Sequence, residues 1–178
     1  WIAARFFLRT ITAPGVLTVQ VAHTREAAES IFRMVQRFYD CLPDPLKKSL
    51  KRSRNNIGQM SFAELDSEFR VLSAADRNAG RGLTIHNLHC SELSRWQGDA
   101  AATLAGMRAA LVPTGELVME STPNGAFGCF YEEWQQAPER GTVQHFFPWW
   151  WEPAYVGPPV SVPREDERAL MREHGLSP

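Results

Sequence analysis

Little in this sequence points to a specialised environment, and each thing it lacks excludes a class of protein. No apolar run approaches the ~20 residues that cross a bilayer, and nothing at the start reads as a secretory leader. Cysteine is scarce. Cys41, Cys90 and Cys129 are widely spaced and odd in number, which argues against a disulfide framework and for reduced thiols in an intracellular protein. Neither sign of charge dominates: the formal net charge is −1, so any nucleic-acid contact has to come from a local patch. There is no internal repeat and no low-complexity tract. Two chemical signatures are also missing, the G-x-S-x-G elbow of a serine hydrolase and the G-x-x-x-x-G-K-[ST] loop that cradles phosphates. What remains is an ordinary composition, 44% hydrophobic and 22% charged over 178 residues, enough for one domain with its own core. The chain opens on Trp1 rather than Met, so a longer parent protein is expected.

The stretch from Gly82 to Gly125 organises the rest. Two short apolar runs, Leu83–Cys90 and Glu116–Glu120, flank a helix-length segment that Asp99 can cap and whose apolar stripe is Leu104, Met107 and Leu111. Such runs predict buried parallel strands. The first ends in Ser91-Glu92, the second in Ser121-Thr122-Pro123-Asn124-Gly125. In open α/β sheets chemistry collects at the carboxyl ends of the strands, so both polar clusters are expected on one edge, side by side.

The flanks fit the same fold class, an α/β protein with a mainly parallel sheet flanked by helices. Residues 1–12 read as a helix stopped by Ala13-Pro14-Gly15, and Val16–Ala22 as a strand. A second helix starts at Thr24, with Glu26 in its first turn and a stripe of Ala27, Ala28, Ile31, Phe32, Val35, Phe38 and Tyr39. Leu42-Pro43-Asp44-Pro45 marks a turn. Lys47, Lys48, Lys51, Arg52 and Arg54 then cluster, either as a solvated helix face or as a weak contact for a phosphate backbone. Ile57–Phe62 and Glu68–Ala74 read as two strands, a possible hairpin beside the main sheet. Pro113-Thr114-Gly115 reads as a turn before the second central strand. Phe127, Phe130, Tyr131 and Trp134 recur at helical spacing and are expected to pack on the sheet. Thr142–Phe147 reads as a further strand, 152–163 as a proline- and glycine-rich linker, and Arg164–His174 as a short exposed helix.

Phosphoryl transfer to water needs a phosphate cradle, a magnesium ion and a group that orients or deprotonates the water. An acid just past a buried strand suits the last role, and Glu92 occupies that place. On these residues alone Glu92 is equally well a helix cap. His86, His89 and Cys90 do not form a zinc site, because alternation along a strand sends His89 to the opposite face from the other two. Trp149–Trp151 reads as a packing patch or, alternatively, as a docking surface.

LHCSELSRW and LVMESTPNG, in this order and spacing, resemble the Walker B and coupling motifs of the large terminase subunit, the ATPase motor that packages DNA into capsids of tailed phages. The resemblance implies a P-loop NTPase core of the ASCE type, incomplete at its N-terminus, with residues 1–150 as a partial ATPase domain and 151–178 leading toward a nuclease domain. It makes Glu92 the catalytic glutamate and Ser91 the metal-side position usually filled by aspartate. Ser121, Thr122 and Asn124 become the loop that senses the γ-phosphate and couples its loss to movement. ATP and Mg2+ are the implied cofactors. The implied partners are double-stranded DNA, the portal, the small terminase subunit and further copies in a ring, within the cytoplasm of a bacterial host. The phosphate loop is expected ahead of Trp1 and the nuclease acids beyond Pro178, so the chain alone is expected to hydrolyse ATP poorly or not at all. Arg81, before the central strand, is a candidate for an arginine acting in trans. Two other readings compete: a helicase-like P-loop motor, and a non-enzymatic module that binds DNA or a partner through the Lys47–Arg54 cluster and the tryptophans.

Overall fold

The computed structural model describes residues 1–76, 79–80, 82–155, 157 and 163–175. The chain opens with helix α1 (Ile2–Thr12), strand β1 (Leu17–Ala22) and helix α2 (Arg25–Asp40). A short helix α3 (Asp44–Ser49) leads into strands β2 (Arg52–Asn56), β3 (Gln59–Phe62) and β4 (Ser67–Ser73). Strand β5 (Ile85–Ser91), helix α4 (Ala100–Ala109), strand β6 (Leu111–Glu120) and helices α5 (Cys129–Gln136) and α6 (Glu165–His174) complete it. The strands form one six-stranded sheet in the order β2-β3-β4-β1-β5-β6. β4, β1, β5 and β6 run parallel, and β2 and β3 join antiparallel at one side. This is the mainly parallel sheet flanked by helices that the sequence predicts. The chain divides into two compact units, Trp1–Gln136, which holds the sheet, and Ala137–Pro178.

Parallel strands are stable only when both faces are covered, and two clusters do this. On one face Phe6, Phe7 and Ile11 of α1 and Phe32, Val35 and Tyr39 of α2 pack over Phe62, Phe69 and Val71. On the other, Leu104 and Met107 of α4 join Leu93 and Trp96 over Val19, Val21, Leu88 and Cys90. The α2 stripe forms as expected because Thr24, in extended backbone, accepts a hydrogen bond from the Ala27 amide at 3.1 Å and so caps the first turn. Asp99 does the same for α4 through the Ala102 amide at 2.8 Å. The helix α1 is tied down by a polar ladder: Thr10 to Thr18, Asn87 to Thr18, Arg9 to Asn87, and Arg5 and Arg9 to Glu116.

Several expectations need correction. The basic run is not one helix face: Lys47 and Lys48 lie on α3, while Arg52 and Arg54 lie on β2, the outermost strand. Its charges hid the strand, yet charge is what keeps an exposed sheet edge from pairing with other chains. β3 and β4 do pair antiparallel as a hairpin, but β4 also pairs parallel with β1, so the hairpin is built into the sheet and not set beside it, and Ile57 belongs to the turn rather than to β3. Pro113-Thr114-Gly115 does not separate α4 from a later strand. Strand β6 starts at Leu111, and its register moves from Ile85↔Leu111 to Asn87↔Glu116, so the tripeptide is absorbed as a bulge. Thr142–Phe147 forms no strand, since no strand among the described residues pairs with it, and Val143, Phe146 and Phe147 are exposed. Finally, α5 begins only at Cys129. Phe127 stays outside it, 72% exposed, and Phe130 is the member of that aromatic stripe packed against the core cluster.

Candidate active site

Strand β5 delivers its acid in an unusual backbone. Glu92 has φ 51° and ψ 47°, and it shares a positive φ with only one other non-glycine residue, Asp66, among the described residues. For a residue with a Cβ this left-handed conformation costs on the order of 1–3 kcal/mol and persists only where the surroundings impose it. Here the surroundings are explicit. Leu93, 1% exposed, anchors the turn in the core, and Trp96 donates its Nε1–H to the Ser91 carbonyl at 3.0 Å. The Glu92 side chain makes no capping bond to the short 3-10 turn Leu93–Arg95 that follows, so the helix-cap reading fails.

Its carboxylate turns instead to the loop after β6. Oε2 accepts from the Thr122 hydroxyl at 3.2 Å, the Thr122 amide at 3.4 Å and the Ser121 hydroxyl at 3.3 Å. Ser94 stitches the two loops together. Its amide donates to Ser121 Oγ at 3.1 Å, its hydroxyl donates to the Thr122 carbonyl at 2.9 Å, and the two serine hydroxyls are 2.6 Å apart. Asn124 reaches this network through the Ser94 carbonyl at 3.3 Å and does not touch Glu92 directly. The structure therefore brings Ser91, Glu92, Ser121 and Thr122 onto one sheet edge, as β5 and β6 are hydrogen-bonded neighbours with Ser91 opposite Glu120. Ser94 escaped sequence reasoning; the spacing S-E-L-S, one tight turn between two hydroxyls, was the available signal.

Behind this edge lie two more acids. Burial pushes the Glu120 carboxylate up, but the hydrogen bonds and charge of His89, the Ser91 side chain and the Glu92 backbone amide outweigh it, leaving Glu120 below the usual glutamate value. The buried His89 ring stands 3.4 Å from Glu120 through Nε2. Glu116 is also lowered, chiefly by its hydrogen bond from Arg5, against burial and with help from the Arg9 charge. On the opposite face of β5, burial pushes the Cys90 thiol far up, so it is an inert core group. His86 accepts from the Leu17 amide through Nδ1 at 3.2 Å and is likewise structural.

The donors gathered at the edge are carboxylate and hydroxyl oxygens, a hard set that fits Mg2+ and not a soft metal. Among the described residues no group of three or more His, Cys, Asp or Glu could hold a metal by itself. The basic residues lie elsewhere, since β2 is at the other side of the sheet from β6. Arg52 stacks on Tyr39 at 4.2 Å and pairs with Asp40 at 3.6 Å, and Lys47 pairs with Asp44 at 3.8 Å. Arg81 lies outside the described residues. Two cavities of about 280 and 340 Å³ adjoin α2 and the Ile57-Gly58 turn, away from Glu92. The candidate site lies at the carboxyl edge of β5 and β6.

No protein-family model matches the sequence, and no curated protein matches it. Solved structures do. The large terminase of a thermophilic bacteriophage superposes with a TM-score of 0.61 at 12% identity, over 79% of this chain and 35% of that one. The large terminase of bacteriophage HK97 gives 0.61 at 17% identity, over 78% of this chain and 30% of that one. The ATPase domain of the large terminase from Thermus phage P74-26 gives 0.51 at 21% identity, over 71% of this chain and 55% of that one. The chain spans about a third of the first two proteins, and at these identities what it shares with them is the fold. The first of these terminases has also been solved in complex with ADP.

Proposed function

We propose that this chain is part of the ATPase domain of a large terminase, the motor that packages viral DNA, and that Glu92 is its catalytic acid. One observation carries the reading: the carboxylate at the end of β5 is held by the hydroxyl-rich loop at the end of β6, on a sheet with the terminase ATPase fold. A rigid, partly desolvated carboxylate is suited to orienting and deprotonating a water molecule. Hydrogen bonds from Ser121 and Thr122 fix its direction. The same bonds give coupling a physical path, because a shift of Thr122 moves the acid and a shift of the acid moves Thr122. Asn124 takes part through Ser94. When Mg2+ is bound it neutralises charge on the phosphates, and Ser91 stands at the metal-side position with a hydroxyl oxygen to offer it.

The nucleotide would be ATP, held by a phosphate loop ahead of α1. The C-terminal end of α1 joins β1 through a short turn, so the helix runs back toward the carboxyl edge and can present its N-terminus to the phosphates. Double-stranded DNA, the portal, the small subunit, a ring of copies and the host cytoplasm complete the proposal. Lys47, Lys48, Lys51, Arg52 and Arg54 supply a weak contact to the DNA backbone.

In the full-length gene product, Glu92→Gln is expected to lower ATP turnover by about 10²–10⁴-fold while nucleotide affinity stays unchanged. Undiminished turnover would defeat the assignment. The chain Trp1–Pro178 alone is expected to turn over little or no ATP.

A further inference from the structure

Ser91 is a neutral ligand, and Glu92 is committed to the water. A magnesium nucleotide is normally held by one or two protein carboxylates together with its phosphates. The register of the sheet points to where the missing carboxylate is. Ser91 is paired with Glu120 across β5 and β6, so their side chains stand on the same face. Neighbouring strands are only about 4.8 Å apart, a gap that the extra methylene of glutamate helps to span. The Glu120 carboxylate lies by the Ser91 side chain and the Glu92 backbone amide, with His89 Nε2 3.4 Å away, and its side chain remains 39% exposed. It therefore sits one peptide group from the catalytic acid with an open side. The other described acid just past a strand on this edge, Asp76, follows β4, two strands away from β5.

We propose that Glu120, on β6, supplies the carboxylate on the cation side of the site, across the strand pair from Ser91, which cannot. The assignment rests on the ATPase reading above and adds to it a specific donor. The carboxylate has been displaced from the end of one strand to the end of its neighbour, with His89 Nε2 3.4 Å from it.

A transplant of the carboxylate tests this in the full-length gene product with ADP present. Binding of Mn2+ is followed by loss of the free-ion electron paramagnetic resonance signal, with thermal melting as the check on folding. Glu120→Gln is expected to raise the Mn2+ concentration for half-saturation by about 10–100-fold. Adding Ser91→Asp to Glu120→Gln is expected to restore most of that loss by returning a carboxylate to β5. Unaltered Mn2+ binding in Glu120→Gln overturns the inference. So does a loss that Ser91→Asp fails to repair in a double variant that melts like wild type, since a mere structural strut cannot be relocated. If Glu120→Gln does not fold, Glu120→Asp, which keeps the charge but lacks the methylene that reaches across the strands, has to weaken Mn2+ binding by more than a few fold or the inference falls. Failure of the ATPase reading looks different: wild-type protein would then retain no ADP at all.

Discussion

At the scale of single residues, the chain uses backbone strain and charge at neighbouring places for different ends. Glu92 occupies the left-handed region so that its carboxylate leaves the direction of β5 and meets Ser121 and Thr122. Glu116, four residues upstream of Glu120, is engaged in holding α1 through Arg5 and Arg9. Its consequence for stability follows from the direction of its pKa. The folded value lies below the ordinary 4.5, so the stabilisation is complete above about that pH and is lost as pH falls through the folded value. Glu116→Gln is expected to lower Tm at pH 7 and to flatten the acid limb of the Tm-against-pH curve below pH 4.5. Parallel curves for variant and wild type would contradict this. Glu120 is shifted in the same direction and adds to the same limb, so the variant flattens it without abolishing it. The acid at 92 and the hydroxyls at 121 and 122 were legible in the sequence because turn residues after apolar runs are a local signal. Arg5, Arg9 and Glu116 were not, since their partnership spans more than a hundred positions and leaves no periodic trace.

At the scale of elements, the sequence is read well where burial is one-sided and poorly where it is not. The α2 stripe and the α1–β1–α2 order were plain from spacing. Strand β2 was hidden by its own arginines, and the reach of β6 by the Pro113-Thr114-Gly115 bulge, because edge strands and bulges obey pairing and not hydrophobic pattern. The β2–β3 turn shows how sharply pairing then constrains a residue. Gly58 has φ +89°, and a Cβ added there would lie 2.8 Å from the Val71 carbonyl oxygen. The Val71 amide donates to the Gly58 carbonyl at 2.7 Å, so the turn is locked against β4 and cannot simply retreat. Gly58→Ala is therefore expected to destabilise the protein by about 1–3 kcal/mol. A urea midpoint equal to that of the wild type would contradict it. Ile57, beside it and 77% exposed, gives the control: Ile57→Ala should leave the midpoint nearly unchanged.

At the scale of the whole molecule, the division into Trp1–Gln136 and Ala137–Pro178 separates a sheet covered on both faces from a segment of short turns and one exposed helix. Nothing in local sequence distinguished them, because Thr142–Phe147 carries the residues of a strand. What it lacks, among the described residues, is a neighbouring strand, and strand pairing is a property of the assembled chain. Aromatic side chains report the contrast directly. Phe6, Phe62 and Phe69 are fully buried, whereas Phe127, Phe146 and Phe147 are 72%, 60% and 78% exposed and lie outside helices and strands. Proteolysis requires an extended, accessible backbone, which exposed irregular segments offer without unfolding and core strands offer only through opening. Brief chymotrypsin treatment is therefore expected to cut first after Phe127, Phe146 or Phe147 and to leave the span from α1 through β6 intact, as mass spectrometry of the early fragments would show. First cuts after Phe62 or Phe69 would mean that the sheet opens more readily than its covered faces imply, and the edge on which Glu92 meets Ser121 and Thr122 would then be no rigid platform for catalysis.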